Sequence, residues 1–350
     1  MKISKLILAA GLSIAICACD NSPIDDPAPA ASGTYVLNNG NWGSNDSNVG
    51  IYDPSTKTYA ADAFMNANGQ GLGDLGQDIT SLGENIYIAV NGSQTIFVTD
   101  SDLKIKQQIN AEKDGTRLSP RYFATSGDKV YVTYCEGYIG EIGSDYSVKL
   151  CAVGPNPEGV AVANGNLYVA NSGGMSYPAY NNTVSVVSVA AFTETSTIEV
   201  NVNPAKVEAS SDGAYVYLSS FGNYADVPAK LQVITTADGK VADLDYTSVS
   251  AIAKGKDDTL YILCGGYDEN WNPLPGTVYK HDMKNNKPLG KFVSDDTTLP
   301  NAYSISAAAD GFVYVGCSDY VNTGDVYVFS SDGKLHDKFD SQGLNPLKVY

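Results

Sequence analysis

The chain has 350 residues, 43% of them hydrophobic and 17% charged, and a formal charge of −17. That acidity argues against nucleic acid and anionic membrane surfaces as partners, since both would be repelled. Thirty-four glycines and 24 tyrosines, against four methionines and two tryptophans, describe a turn-rich β protein with aromatic strands.

Lys2 and Lys5 precede an apolar stretch at 6–16 that is interrupted only by Gly11 and Ser13. It is shorter than the roughly 20 apolar residues of a membrane-spanning helix and suits the apolar core of a signal peptide. The run ends in Ile16-Cys17-Ala18-Cys19, an aliphatic residue at −3 and a small one at −1 before a cysteine. This resembles a bacterial lipobox and implies a signal peptide at 1–18 with Cys19 as the lipidated first residue. Cys17 would require cleavage after the bulky Ile16; an ordinary secretory signal with two incidental cysteines is the remaining reading. Residues 19–32 are acidic and rich in Pro and Ala, with nothing to pack, and read as a flexible tether. An acidic tether in that place resembles the surface-export signal of Bacteroidetes lipoproteins. It implies anchoring in the outer membrane with exposure at the cell surface, the lipid being the only membrane contact.

From residue 33 onward one unit recurs, and no helix-period stretch of useful length interrupts it. A short apolar strand is built around Tyr35, Tyr87, Tyr131, Tyr168, Tyr217, Tyr261 and Tyr314, at intervals of 52, 44, 37, 49, 44 and 53 residues by subtraction. These bracket the roughly 40–50 residues of a four-stranded propeller blade. Alternating strands follow at 49–52, 95–98, 183–186, 231–234, 277–279 and 326–329, then a turn and a more polar strand such as 333–339. A strand that often opens with proline precedes each tyrosine strand, as in Asn156-Pro157-Glu158-Gly159-Val160 and Asn203-Pro204-Ala205-Lys206-Val207.

The last six residues, Asn345-Pro346-Leu347-Lys348-Val349-Tyr350, are a third copy of that opening. Tyr35 begins a unit that lacks its own first strand. The two ends therefore complete one blade between them, whereas an open solenoid would leave free edges. The expected fold is an all-β, seven-bladed β-propeller over 33–350, its N- and C-terminal strands sharing a blade.

Tyr131-Val132-Thr133-Tyr134 and Asn166-Leu167-Tyr168-Val169-Ala170-Asn171 resemble the YVTN-type repeat of YncE-like propellers. More narrowly, Leu37-Asn38-Asn39-Gly40-Asn41-Trp42-Gly43, Tyr52-Asp53-Pro54, Asn68-Gly69-Gln70-Gly71-Leu72-Gly73-Asp74 and Asp332-Gly333-Lys334-Leu335 resemble a group of Bacteroidetes surface lipoproteins. That group includes the cobalamin-capturing BtuG proteins. The resemblance implies a corrinoid ligand and a TonB-dependent outer-membrane transporter as partner.

In a propeller, the loop after the second strand and the loop entering the next blade emerge on one face. The first set is 38–48, 91–94, 135–138, 171–182, 221–229, 264–276 and 317–324; the second includes 65–76, 111–118, 294–300 and 341–345. Both tryptophans, Trp42 and Trp271, fall in the first set, with Tyr138, Tyr177, Tyr180, Phe221, Tyr224, Tyr267 and Tyr320. Asn39 and Asn41 stand for its many asparagines. Aromatics supply apolar area and amides supply directional hydrogen bonds, so these eleven residues are the candidate ligand contacts. The competing reading is that tyrosines close the blade tops and asparagines serve turns.

Other chemistry is thinner. Gly71-Leu72-Gly73-Asp74-Leu75-Gly76 matches G-x-G-x-x-G, but a strand rather than a helix follows it, so no dinucleotide site is expected. The two histidines, His281 and His336, read as outer-strand residues and offer neither a multi-histidine metal site nor a Ser–His–Asp arrangement. Asp268-Glu269-Asn270-Trp271-Asn272 alternates oxygens like a calcium loop but has Pro273 in place of glycine at the sixth position and Tyr279 in place of glutamate at the twelfth. Cys135, Cys151, Cys264 and Cys317 form no C-x-x-C pair and read as free buried thiols, although export would permit disulfides. Three functions stay in play: a binding protein without cofactor or catalytic residue, with a corrinoid as ligand; a module for a glycan, peptide or protein; and a metal-dependent lactonase. For the last, Asp74, Asp78 and Glu158 are the candidate carboxylates.

Overall fold

The computed structural model describes residues 33–267 and 273–350; Cys19, Trp271 and the calcium-like segment lie outside them. Seven four-stranded antiparallel sheets follow one another around an axis. From the axis outward, blade 1 is Pro346–Val349, Thr34–Asn38, Asn48–Asp53 and Thr58–Ala60. Blades 2 to 7 begin with the innermost strands Gly76–Leu82, Pro120–Ser126, Pro157–Ala163, Pro204–Ala209, Val249–Lys254 and Ala302–Ala307. Their second strands carry the tyrosines: Asn85–Val90, Lys129–Tyr134, Asn166–Asn171, Tyr215–Ser220, Thr259–Tyr267 and Val313–Cys317.

The repeated tyrosine is explained by the packing. Second strands lie between neighbouring sheets and are buried on both faces, so they read as apolar runs rather than alternating ones. Seven hydrophobic clusters fill the seven blade interfaces, and each holds one repeat tyrosine packed on the next blade. Tyr87 thus meets Phe123 and Val132, Tyr314 meets Tyr52 and Val36, and Tyr35 meets Ile79 and Ile86. Fully burying such a side chain is worth about 1.5–3 kcal/mol. The phenol tips find polar partners at the periphery: Tyr35 donates to Ser101 O (2.6 Å) and Tyr217 to Met283 O (2.9 Å).

The ring closes as the sequence requires. Pro346–Val349 pairs antiparallel with Thr34–Asn38, Val36 opposite Val349, and Tyr35 and Tyr350 exchange backbone hydrogen bonds of 2.8 and 2.9 Å.

A second sevenfold feature builds the loop-bearing face. In every blade the residue before the innermost strand accepts, at its carbonyl, the N–H of the residue that follows the second strand or, in blade 6, of Gly265 within its extended end. The pairs are Asn39→Asn345, Asn91→Leu75, Cys135→Ser119, Ser172→Asn156, Phe221→Asn203, Gly265→Ser248 and Ser318→Asn301. Six of the seven acceptors have positive φ, four of them asparagines (Asn156, Asn203, Asn301 and Asn345) at 45–60°. Asparagine tolerates this left-handed geometry better than most residues, which accounts for its recurrence before the proline.

Several local expectations change. Part of 65–76 is helical: Ala63–Asn68 forms a short helix that buries Phe64. Residues 111–118 hold a small hairpin, Glu112–Lys113 with Thr116–Arg117. In blade 6 the hairpin extends past 264, with Tyr267 opposite Pro273. His281 stands on the third strand, Pro273–Asp282, not the outer one, and is buried between Tyr246 Oη (3.1 Å from Nδ1) and Asn286 Oδ1 (2.9 Å from Nε2). His336 is on an outer strand, Leu335–Asp340, as expected. All four cysteines of the described residues are free, Cys135 only half-buried. Burial pushes the thiols of Cys264 and Cys317 up to about 11 and about 12, which suppresses the reactive thiolate.

Blades 5 and 6 are tied at the opposite face by Asp258, whose side chain is 3% exposed. It accepts from Ser211 N (2.9 Å) and pairs with Lys254 (3.0 Å) and Lys284 (3.1 Å). Burial alone would raise its pKa, but bonds from Ser211, Lys254 and Lys284 hold it well below the usual carboxylate range. A depressed folded-state pKa gives stability that is present above the unfolded value near 4 and is lost as pH falls through the folded one. Asp258→Asn should therefore lower stability by on the order of 3 kcal/mol at pH 7, with the deficit shrinking below about pH 4 in urea titrations across pH.

Candidate functional site

The site grows out of how the innermost strands begin. Every one carries a register shift in its opening residues: Gly76/Asp78, Pro120/Phe123, Pro157/Val160, Pro204/Val207, Val249/Ala251, Ala302/Ser304, and Leu37/Asn38 opposite Pro346. A bulge frees its residues from the ladder and re-aims their side chains. Here Gln77, Arg121, Tyr122, Glu158, Lys206, Ser250 and Tyr303 line an axial cavity of about 930 Å³.

The cavity wall is polar and partly cross-linked. Arg121 donates to Glu158 Oε2 through Nε (2.9 Å) and Nη2 (2.5 Å), and to Gln77 Oε1 through Nη1 (2.7 Å). Gln77 in turn donates to Tyr122 Oη (2.7 Å). Blades 2, 3 and 4 are thereby joined across the channel by side chains alone.

At the loop-bearing end this cavity opens under an aromatic arc. Tyr177 and Tyr180 meet edge to face at 6.0 Å, Tyr180 and Tyr224 likewise at 6.0 Å, and Tyr224 stacks on Phe221 at 6.5 Å. Across blade 6, Tyr303 and Tyr320 meet at 5.6 Å. Between the two groups runs a groove of about 620 Å³, lined by Phe221, Tyr224, Leu274, Tyr303 and Tyr320. Phe221, Tyr224 and Tyr303 also line the axial cavity, so groove and channel share that wall. Of the ten exposed large apolar side chains among the described residues, seven (Trp42, Met175, Tyr177, Tyr224, Leu274, Tyr320 and Val321) stand in the loops and the extended hairpin of this face. Such one-sided exposure marks a binding surface.

The predicted site residues divide accordingly. Tyr177, Tyr180, Phe221, Tyr224 and Tyr320 come together at the mouth. Asn39 lines the cavity, its amide donating to Gly76 O (2.7 Å), and Asn41 donates to Tyr320 O (3.2 Å), tying the blade 1 loop to blade 7. Trp42 projects from that loop at 77% exposure, outside the cavity wall. Tyr138 stands apart: it opens the third strand of blade 3, opposite Tyr134, and packs half-buried on the core between blades 2 and 3. Tyr267 ends the second strand of blade 6. The channel residues Arg121, Tyr122, Lys206, Glu208 and Tyr303 were not foreseen. For Arg121, Tyr122 and Lys206 the signal was the dipeptide after Ser119-Pro120 or Asn203-Pro204, where the ladder is broken; Glu208 and Tyr303 carry no such mark.

The three carboxylates weighed for hydrolysis do not converge. Asp74 accepts from Gly43 N at 3.0 Å on the exposed face. Asp78 accepts from Phe123 N (2.9 Å) and lies 3.9 Å from Lys348, and Glu158 is held by Arg121. Among the described residues no three His, Cys, Asp or Glu are grouped to hold a metal ion.

Compared with known proteins, the chain matches no family model and no curated sequence. Solved structures do resemble it. A candidate 6-phosphogluconolactonase from Bacteroides fragilis superposes with a TM-score of 0.62 at 15% identity, covering 93% of this chain and 100% of that one. Another from Bacteroides uniformis gives 0.62 at 14% identity, covering 91% and 99%. Hydrazine synthase of Kuenenia stuttgartiensis gives 0.56 at 17%, covering 71% and 74%. At such identities these likenesses speak for the fold: the chain is a seven-bladed β-propeller.

Proposed function

We propose that this propeller is a lipid-anchored cell-surface protein that captures a corrinoid at the aromatic mouth and passes it to a TonB-dependent outer-membrane transporter. The observation that carries the reading is the arc of aromatic side chains that walls both the groove and the axial cavity. A large ligand with flat apolar parts and neutral amide arms finds ring faces in Tyr224, Phe221 and Tyr320, and amides in Asn39 and Asn41. Neutrality of the ligand suits a chain of charge −17. The anchor rests on the lipobox-like sequence at Cys19; Cys19→Ala should shift the protein from the membrane to the soluble fraction. Titration of the purified protein with cyanocobalamin tests the ligand, and no binding at micromolar concentrations removes it.

A glycan or peptide would use the same mouth, and would be retained by the protein when cyanocobalamin is not. Lactone hydrolysis is favoured by one observation only, the likeness to the two Bacteroides structures. Asp78 and Glu158 are already engaged in the channel wall, so hydrolysis of 6-phosphogluconolactone is expected to proceed no faster with the protein than without it.

A further inference from the structure

The axial channel holds two charges that no other described residue pairs. Lys206, in the bulge of blade 5, has no carboxylate within ion-pair distance among the described residues; its ammonium sits 3.5 Å from the centre of the Tyr122 ring. Glu208, two residues along the same strand, lines the same cavity and also takes no hydrogen bond or ion pair there. Val207 and Ala209, which alternate with them, point the other way into the core between blades 4 and 5. The other charges nearby are committed. Arg121 holds Glu158, Lys254 holds Asp258, and Lys348 faces Asp78.

We propose that Lys206 and Glu208 form a subsite for a primary carboxamide, whose C=O accepts from the Lys206 ammonium while its NH2 donates to the Glu208 carboxylate. A simple anion would gain Lys206 but face Glu208; a simple cation would gain Glu208 but face Lys206. A neutral amide carries both complements within one planar group. Enclosure by the channel wall acts in the same direction on both charges, pushing Lys206 down to about 8 and Glu208 up. An occupant that hydrogen-bonds the charged forms reverses both shifts. The inference uses the proposed function only for the route of entry, through the aromatic mouth.

The test follows the Lys206 side chain by NMR in the full mature protein labelled with 13C-lysine, the resonance being identified by its loss in Lys206→Arg. The probe is succinamide, with succinate and putrescine as the charged counterparts. Succinamide is expected to move the Lys206 signal and raise its titration midpoint, and Glu208→Gln is expected to weaken that response about tenfold. No response to succinamide, or an equal response to succinate, overturns the proposal. Because this probe is not a corrinoid, silence in the cyanocobalamin titration and silence of Lys206 toward succinamide are separate results that reject separate statements.

Discussion

Removing residues 346–350 is expected to lower stability by on the order of 5 kcal/mol and to leave an aggregation-prone chain. The deletion takes away the innermost strand of blade 1 and with it the ladder to Thr34–Asn38, including both backbone bonds between Tyr35 and Tyr350. It removes buried Val349 from the interface with blade 7, worth about 2 kcal/mol by itself. Ser304 loses its bond to Pro346 O (2.6 Å), Ser306 loses Val349 N (3.0 Å), and Tyr350 Oη no longer meets Ser81 (2.6 Å). The second strand of blade 1 then becomes an open edge facing the axis, ready to pair with another chain. Chemical denaturation and light scattering of the truncated protein check this. A truncated chain that stays monomeric and melts within about 3 °C of the parent would contradict it.

Under the proposed corrinoid reading, replacing the mouth aromatics should reduce affinity for cyanocobalamin sharply while the propeller stays folded. Tyr224→Ala and Tyr320→Ala each remove a ring that lines the groove at 63% and 48% exposure, so little core packing is lost. Central aromatic anchors commonly account for 2 kcal/mol or more of binding, so each variant should bind cyanocobalamin about 30-fold more weakly. Trp42→Ala, outside the cavity wall, should change affinity less than about fivefold. Tyr138→Ala provides the opposite control, a loss of stability from the core between blades 2 and 3 with affinity unchanged. Equal affinities across the set, measured by tryptophan-independent calorimetry, would move the binding surface away from the mouth.

The architecture was legible because its signals are carried by packing that repeats. A tyrosine that must fill the same interface seven times leaves a periodic trace, and the recurring Asn-Pro reflects a left-handed residue needed at the same corner of most blades. Closure was legible because the third Asn-Pro-x-x-Val stands where a missing strand has to come from. Other features were hidden for equally physical reasons. The helix at Ala63–Asn68 is six residues long and has no room to show a period. Tyr138 sits at the boundary of loop and strand, where one residue decides whether a ring points to solvent or to the core. His281 was assigned one strand too far out because the blade 6 hairpin is longer than its sisters. Of the innermost-strand residues in the channel lining only Glu158 was singled out: alternation assigns faces only while the ladder is regular, and each innermost strand breaks it within its first few residues.

Those seven offsets separate two tasks within one short segment of chain. Val207 and Ala209 answer to the neighbouring sheet, while Lys206, next to them in sequence, answers only to the lumen. Substitution at the lumen positions can therefore rewrite what the channel recognises without renegotiating how the blades fit. A scaffold arranged in this way can keep its shape through long divergence while its specificity drifts, so two such rings can share an outline at 15% identity and hold quite different things at the centre.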